Sequence, residues 1–141
     1  MTRAALRTLA AMIAGTLVAL GLLALVEVFS AVVHPVPPDF GGTMEEMCQH
    51  VARYPHWVLA LFVPAWCVTA FGSAWTALKI GNRGSAMVIG LLLLAALVFN
   101  ISKLSYPIWF KLANLLLIPA AIVLGARRPI PRKTLALDEL T

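Results

Sequence analysis

Four long apolar runs dominate the pattern of hydrophobic and polar positions along the chain, and short polar segments separate them. The runs extend over residues 8–33, 57–78, 85–104 and 107–126. A helix needs about 20 apolar residues to cross a hydrocarbon core about 30 Å thick. Because no run shows the strict alternation of a barrel strand, we predict an all-α fold. The expected architecture is an integral membrane four-helix bundle forming a single domain over residues 1–141.

The composition supports lipid, and not water, as the main solvent of this surface. Of the 141 residues, 61% are hydrophobic and only 12% are charged, which are too few charges to cover a soluble domain. The formal net charge is +5, and the basic residues lie between and beyond the apolar runs. This placement suits anionic lipid headgroups better than nucleic acid, so we expect membrane lipids as partners and no nucleic acid.

The first run follows Arg3 and Arg7, as a secretory signal peptide also would. Its apolar stretch, about 18 residues from Leu9 to Val26, is too long for a signal peptide, and no clean cleavage site follows it. We therefore expect an uncleaved membrane anchor.

Lysine and arginine in the flanks predict the orientation, because cytoplasmic flanks carry an excess of them. Eight lie on one side and three on the other. The first group is Arg3, Arg7, Lys79, Arg83, Arg127, Arg128, Arg132 and Lys133, and the second is Arg53, Lys103 and Lys111. We expect both termini in the cytoplasm, with residues 127–141 as a cytoplasmic tail.

The outer connector, residues 34–56, is the only sizeable segment expected outside the bilayer. It opens with His34-Pro-Val-Pro-Pro, which forbids helix, and Thr43 with Glu46 then forms the pattern of a capping box. We predict a short interfacial helix over residues 44–53 that lies on the membrane or covers the bundle. The polar residues of a candidate outer lid are Glu46, His50, Arg53 and His56.

Polar residues inside the apolar runs are the candidate site, because an ionisable side chain in lipid is costly. At about 1.5 Å per residue, Glu27 lies about 9 Å below the outer end of its helix. Residues of two other helices reach similar depths, which predicts one outer polar layer. Its members are Glu27, Asn100, Lys103, Lys111, Asn114 and His34.

Three interpretations of the outer polar layer remain open at this stage. Glu27 can pair with Lys103 or Lys111 through the two asparagines, in a network that only fixes which helix faces which. The layer can instead line a water-filled pocket open to the outside. Glu27 can also relay protons.

Small residues at four-residue spacing predict where the helices approach one another, since helices in lipid associate by close backbone contact. The clearest stripe is Ala11, Gly15 and Ala19 in the first helix. Ala70 with Ala74 in the second, and Ala121 with Gly125 in the fourth, are the other candidates.

Motifs for catalysis, metal binding or a cofactor are missing from the sequence. No phosphate loop, catalytic triad or Cys-x-x-Cys pattern occurs, and the three histidines lack ligand spacing. Cys48 and Cys67 suggest neither a disulfide framework nor a metal site. We therefore expect no metal and no cofactor, and the sequence favours a non-catalytic protein over an enzyme.

The chain resembles a widespread group of uncharacterised small bacterial four-helix integral membrane proteins. The features that carry the resemblance are Glu27, His34-Pro-x-Pro-Pro, Asn100, Pro107-x-Trp and Pro119-Ala-Ala-x-x-Leu-Gly-x-Arg. It implies the architecture and a bacterial inner membrane, and no activity. The size is also similar to that of small multidrug-resistance transporters, but those lack the long outer connector, and Glu27 lies near one end of its helix.

Three functions follow as hypotheses. The first is a non-catalytic protein that binds a partner subunit, lipid or small molecule through the outer polar layer, as an accessory subunit or a homodimer. The second is a dimeric proton-coupled transporter using Glu27. The third is an enzyme that modifies a lipid or quinone, with Glu27, His34 or His56 as acid or base.

Overall fold

The computed structural model describes residues 2–127, and within this range the chain forms five α-helices and no strand, which confirms the all-α prediction. Four helices are long and apolar enough to cross a membrane: α1 (Arg3–Val33), α3 (His56–Ile80), α4 (Arg83–Lys103) and α5 (Ile108–Gly125). The fifth is the short α2 (Met44–Ala52). Beyond Arg127, the predicted cytoplasmic tail lies outside the described residues.

Side-chain caps set where α1, α2 and α4 begin, and they account for starts of α1 and α4 that are earlier than the apolar runs. The Thr2 hydroxyl accepts a hydrogen bond from Ala5 N, so α1 starts at Arg3 and not at residue 8. The predicted capping box is present, because Glu46 N donates to the Thr43 hydroxyl and Thr43 N donates to the Glu46 carboxylate. Asn82 caps α4 and starts it at Arg83.

The central helix is α3, which contacts α1, α4 and α5, while α4 also contacts α1 and α5. Short turns join α3 to α4 and α4 to α5, so consecutive long helices run in opposite directions. Residues 34–55 and 104–107 therefore lie at one end of the molecule, which we call the connector end. The chain near residue 2 and the turn at residues 81–82 lie at the other end, the tail end.

Small residues bring the backbones close, at the positions that the four-residue spacing predicted. Ala11, Gly15 and Ala19 are the buried small residues of α1, and a Cβ atom added to Gly15 would lie 3.1 Å from the Ser73 carbonyl oxygen of α3. A Cβ atom added to Gly125 of α5 would lie 2.5 Å from a backbone oxygen of α3. Close contact between backbones is how helices associate in lipid.

The buried core changes in character along the helix axes. At the tail end it consists largely of alanine side chains, and Arg7 Nε donates a hydrogen bond of 2.7 Å to the Ile80 carbonyl there. At the connector end it contains Phe62 and Phe110, and partly buried aromatic residues pack against them. Small side chains thus hold the helices together at the tail end, whereas bulky rings fill the connector end.

Candidate ligand-binding cavity and histidine cluster

A cavity of ≈ 240 Å³ is lined by residues of all four long helices, α1, α3, α4 and α5. Its lining is largely apolar and consists of Leu23, Glu27, Trp66, Thr69, Ala70, Leu93, Ala96, Leu97, Asn100 and Ile118. A small ligand, or one end of a longer one, fits inside.

Glu27 supplies the negative charge of the cavity. Its side chain is exposed, and it lies about 9 Å before the end of α1 at a rise of about 1.5 Å per residue. Leu23, Ser30 and His34 share its helix face, because they are separated from it by one or two helical turns. One face of α1 therefore contributes Leu23 and Glu27 to the cavity lining, and Ser30 and His34 follow on the same side nearer the connector end.

Asn100 and Trp66 provide the other polar and aromatic groups of the lining. Asn100 Oδ1 is buried and accepts no hydrogen bond from any residue of the described range. Trp66 packs among aromatic neighbours and presents part of its side chain to the cavity. The Thr69 hydroxyl is already engaged, since it donates to the Ala65 carbonyl at 2.9 Å. Glu27 and Asn100 are therefore the groups that remain for a ligand or for water.

Of the predicted outer polar layer, only Glu27 and Asn100 share this cavity. Lys103 and Lys111 do not line it, and the Lys103 ammonium lies 5.9 Å from the ring centroid of Phe99. Asn114 is fully buried, and its Nδ2 donates to the Phe110 carbonyl of its own helix at 2.8 Å. The lysines and Asn114 thus have other surroundings than Glu27 and Asn100.

His34, the remaining member of the predicted layer, lies in a separate cluster with His50, Tyr54 and Ser30. The His34 and His50 rings stack with centroids 4.3 Å apart, and His34 Nε2 lies 3.2 Å from the His50 carbonyl oxygen. Tyr54 packs on His34 with ring centroids 4.4 Å apart, and its hydroxyl is hydrogen-bonded to the Ser30 hydroxyl. This histidine cluster attaches α2 and the chain after it to the end of α1.

Burial, His34 and Arg53 together lower the pKa of His50, in that order of importance. His50 is 8% exposed, so its charged form loses hydration and also meets a second imidazole. His50 is therefore held in the neutral form more strongly than a free histidine. A buried neutral ring suits a packing role for this side chain.

The other candidate lid residues do not surround the cavity. Glu46 serves the capping box, and the backbone of Thr43 is the main cause of its lowered pKa. Arg53 is exposed, and His56 lies beside Trp109, with ring centroids 6.1 Å apart. A contact from Cys48 Sγ to the Lys103 carbonyl oxygen at 3.3 Å attaches α2 to the end of α4.

Aromatic rings connect the histidine cluster to the cavity. Tyr54 packs on Phe62, Phe62 on Trp66, and Trp66 on Tyr106, with centroids 5.6, 6.3 and 6.3 Å apart. Burial raises the pKa of Tyr106, and the charges of Tyr54 and Glu27 raise it further.

Sequence reasoning missed four residues that contribute to these two regions: Ser30, Tyr54, Trp66 and Tyr106. Ser30 carried a usable signal, because it lies one turn after Glu27 on the same helix face. The aromatic residues carried none, since membrane proteins enrich tryptophan and tyrosine at both interfaces regardless of a site.

Metal binding has no support within residues 2–127, where no three histidine, cysteine or acidic side chains are grouped to hold an ion. Comparison of the chain with protein-family models, curated proteins and solved structures gave no match. The chemistry of the cavity is therefore the basis for a functional assignment.

Proposed function

We propose that this chain is an integral membrane protein of the bacterial inner membrane, a four-helix bundle with both termini in the cytoplasm. Four apolar helices of sufficient length and the excess of basic residues at the tail end support this assignment. The connector end then faces outward, and α2 lies at the outer interface. The resemblance to small bacterial four-helix membrane proteins stays a prediction consistent with this arrangement.

Within that membrane, the protein binds a small amphiphilic molecule in the cavity between α1 and α4, without catalysis. The observation that supports this function is Glu27, an exposed carboxylate in an otherwise apolar cavity that also contains Asn100. A charge at this depth is costly in lipid, so a polar partner must cover it. A ligand with a polar end and an apolar chain satisfies the carboxylate and fills the apolar lining together.

Quenching of Trp66 by a spin-labelled amphiphile tests this function in bilayer nanodiscs. Replacing Trp57, Trp75 and Trp109 by phenylalanine leaves Trp66 as the only reporter. We expect saturable quenching at low mole fraction of the amphiphile, because its chain enters the cavity beside the indole ring.

Two substitutions on α4 form a matched pair for this assay. Ala96→Phe places a ring in the cavity and should abolish saturable quenching, because Ala96 lines the cavity. Ala95→Phe is the control, since Ala95 is exposed on the same helix but does not line the cavity. Equal quenching in the two variants would show that the amphiphile does not enter the cavity.

Proton-coupled transport by a dimer is the second candidate function, and the unpaired position of Glu27 favours it. A carboxylate that binds a ligand and a proton alternately must be open to both, as an exposed side chain in a cavity is. Glu27→Gln should abolish uptake driven by a pH gradient in vesicles. Unchanged uptake by a correctly folded variant would remove this candidate.

Modification of a lipid or quinone has no comparable support. Glu27 lines the cavity, His34 stacks on another histidine, and His56 lies beside an exposed tryptophan. An acid and a base would need to reach one substrate, and these three side chains have separate surroundings.

A further inference from the structure

We propose that the ligand of this cavity is a single-chain amphiphile that ends in a primary ammonium group, an inference that rests on the binding function above. The ammonium contacts the Glu27 carboxylate beside Asn100 and Trp66, and the chain lies along the apolar lining. Three properties of the site favour such a ligand over the other amphiphiles of a bilayer: its charge, its hydrogen-bonding groups and its depth in the membrane.

Charge is the first reason. Among residues 2–127, Glu27 is the only ionisable side chain in the lining, and Lys103 and Lys111 do not contribute to it. A carboxylate within an apolar membrane span is stabilised by an opposite charge at short range, and among residues 2–127 no cationic side chain lines the cavity to provide one. A cationic ligand therefore gains a favourable charge interaction with Glu27 that an anionic or neutral ligand cannot make.

Hydrogen bonding and the indole ring are the second reason. A carboxylate only accepts hydrogen bonds, and the carboxamide of Asn100 can turn its oxygen or its nitrogen toward the cavity. An ammonium with N–H groups can donate to both residues, and charge-assisted bonds of this kind are stronger than neutral ones. The indole ring of Trp66 also lines the cavity, and aromatic rings attract cations. A quaternary ammonium has no N–H group and keeps only the attraction of charge.

Depth is the third reason, and it separates a simple amine from a phospholipid with an amine headgroup. Glu27 lies about 9 Å inside the end of α1, below the level of the headgroups. A phospholipid would have to bring its phosphate into the same cavity, where no cation lines the wall. The carboxylate would repel that phosphate, so a headgroup without phosphate fits better.

Competition in nanodiscs of phosphatidylcholine tests the headgroup. Dodecylamine, dodecyltrimethylammonium and dodecanol, at equal mole fractions in the bilayer, are each used to displace the spin-labelled amphiphile from the Trp66 reporter form. We expect dodecylamine to compete about tenfold better than dodecanol, with the quaternary compound between them. Glu27→Gln should reduce the advantage of dodecylamine to about twofold and leave dodecanol unchanged. Glu27→Asp keeps the charge and should retain most of that advantage.

The possible outcomes separate the ammonium proposal from the binding function on which it rests. If dodecanol competes as well as dodecylamine, the ammonium proposal is wrong while the cavity still binds amphiphiles. If no compound displaces the label, the binding function itself fails. If phosphatidylethanolamine competes better than dodecylamine, the ligand is a phospholipid headgroup and the single-chain proposal is overturned. If Glu27→Gln keeps the full advantage of the amine and melts at the wild-type temperature, Glu27 is not the ammonium partner.

Discussion

Replacing Gly125 by alanine should separate α5 from α3 and destabilise the protein. The added Cβ atom would lie 2.5 Å from the carbonyl oxygen of Phe71 and 3.2 Å from the Cβ atom of Ala74. A backbone oxygen cannot rotate away as a side chain can, so the two helices must move apart. Overpacking of this kind costs about 1–3 kcal/mol. The better helix propensity of alanine offsets up to about 1 kcal/mol, which leaves a net loss of up to about 2 kcal/mol when the full offset applies.

Reversible unfolding in mixed micelles with increasing dodecyl sulfate, followed by tryptophan fluorescence, measures this free energy. Gly21→Ala is the matched control, because nothing lies within 4 Å of a Cβ atom added there. That variant should be as stable as the wild type or slightly more stable. If Gly125→Ala and Gly21→Ala unfold at the same detergent fraction, the close approach of α3 and α5 is wrong.

Three further predictions concern the connector end and the buried amides. Because the pKa of His50 is lowered, its share of stability is complete above the ordinary histidine pKa and is lost as the pH falls through the lowered value. The protection of the α2 amides against hydrogen exchange, relative to their intrinsic rates at each pH, should thus fall at mildly acidic pH, and His50→Phe should remove this dependence; an equal dependence in the variant would contradict it. Tyr54→Phe should cost about 1 kcal/mol. Ser30→Ala should add little to it in the double variant, whereas full additivity would show that the two hydroxyls do not interact. Asn114→Leu should leave the unfolding free energy within about 1 kcal/mol of wild type, since its amide bonds only its own helix; a larger loss would reveal a missing partner.

The helices could be predicted well from the sequence, because hydrophobic length is a local property that lipid imposes directly. The capping box at Thr43 was predictable for the same reason, since its two partners are three residues apart. The start of α1 was misplaced because an apolar run does not show where a cap lies. Thr2 extends the helix through the basic residues Arg3 and Arg7, which hydropathy alone would leave outside.

The candidate site was predictable only in part, because height along a helix does not determine direction around it. Glu27 and Asn100 line the same cavity, whereas Lys111 and Asn114 lie at similar heights but outside its lining. The pairing of His34 with His50 could not be predicted from the sequence either. The two residues are 16 positions apart, and their contact depends on the path of an irregular connector.

Crosslinking across the cavity tests the central claim, that Glu27 of α1 and Asn100 of α4 line one cavity. In a background without Cys48 and Cys67, cysteines at positions 27 and 100 should be joined efficiently by a short bifunctional thiol reagent in native membranes. Cysteines at 27 and 95 should not be joined, because Ala95 does not line the cavity. Efficient joining of 27 to 95, with none of 27 to 100, would contradict the cavity and the ligand site built on it.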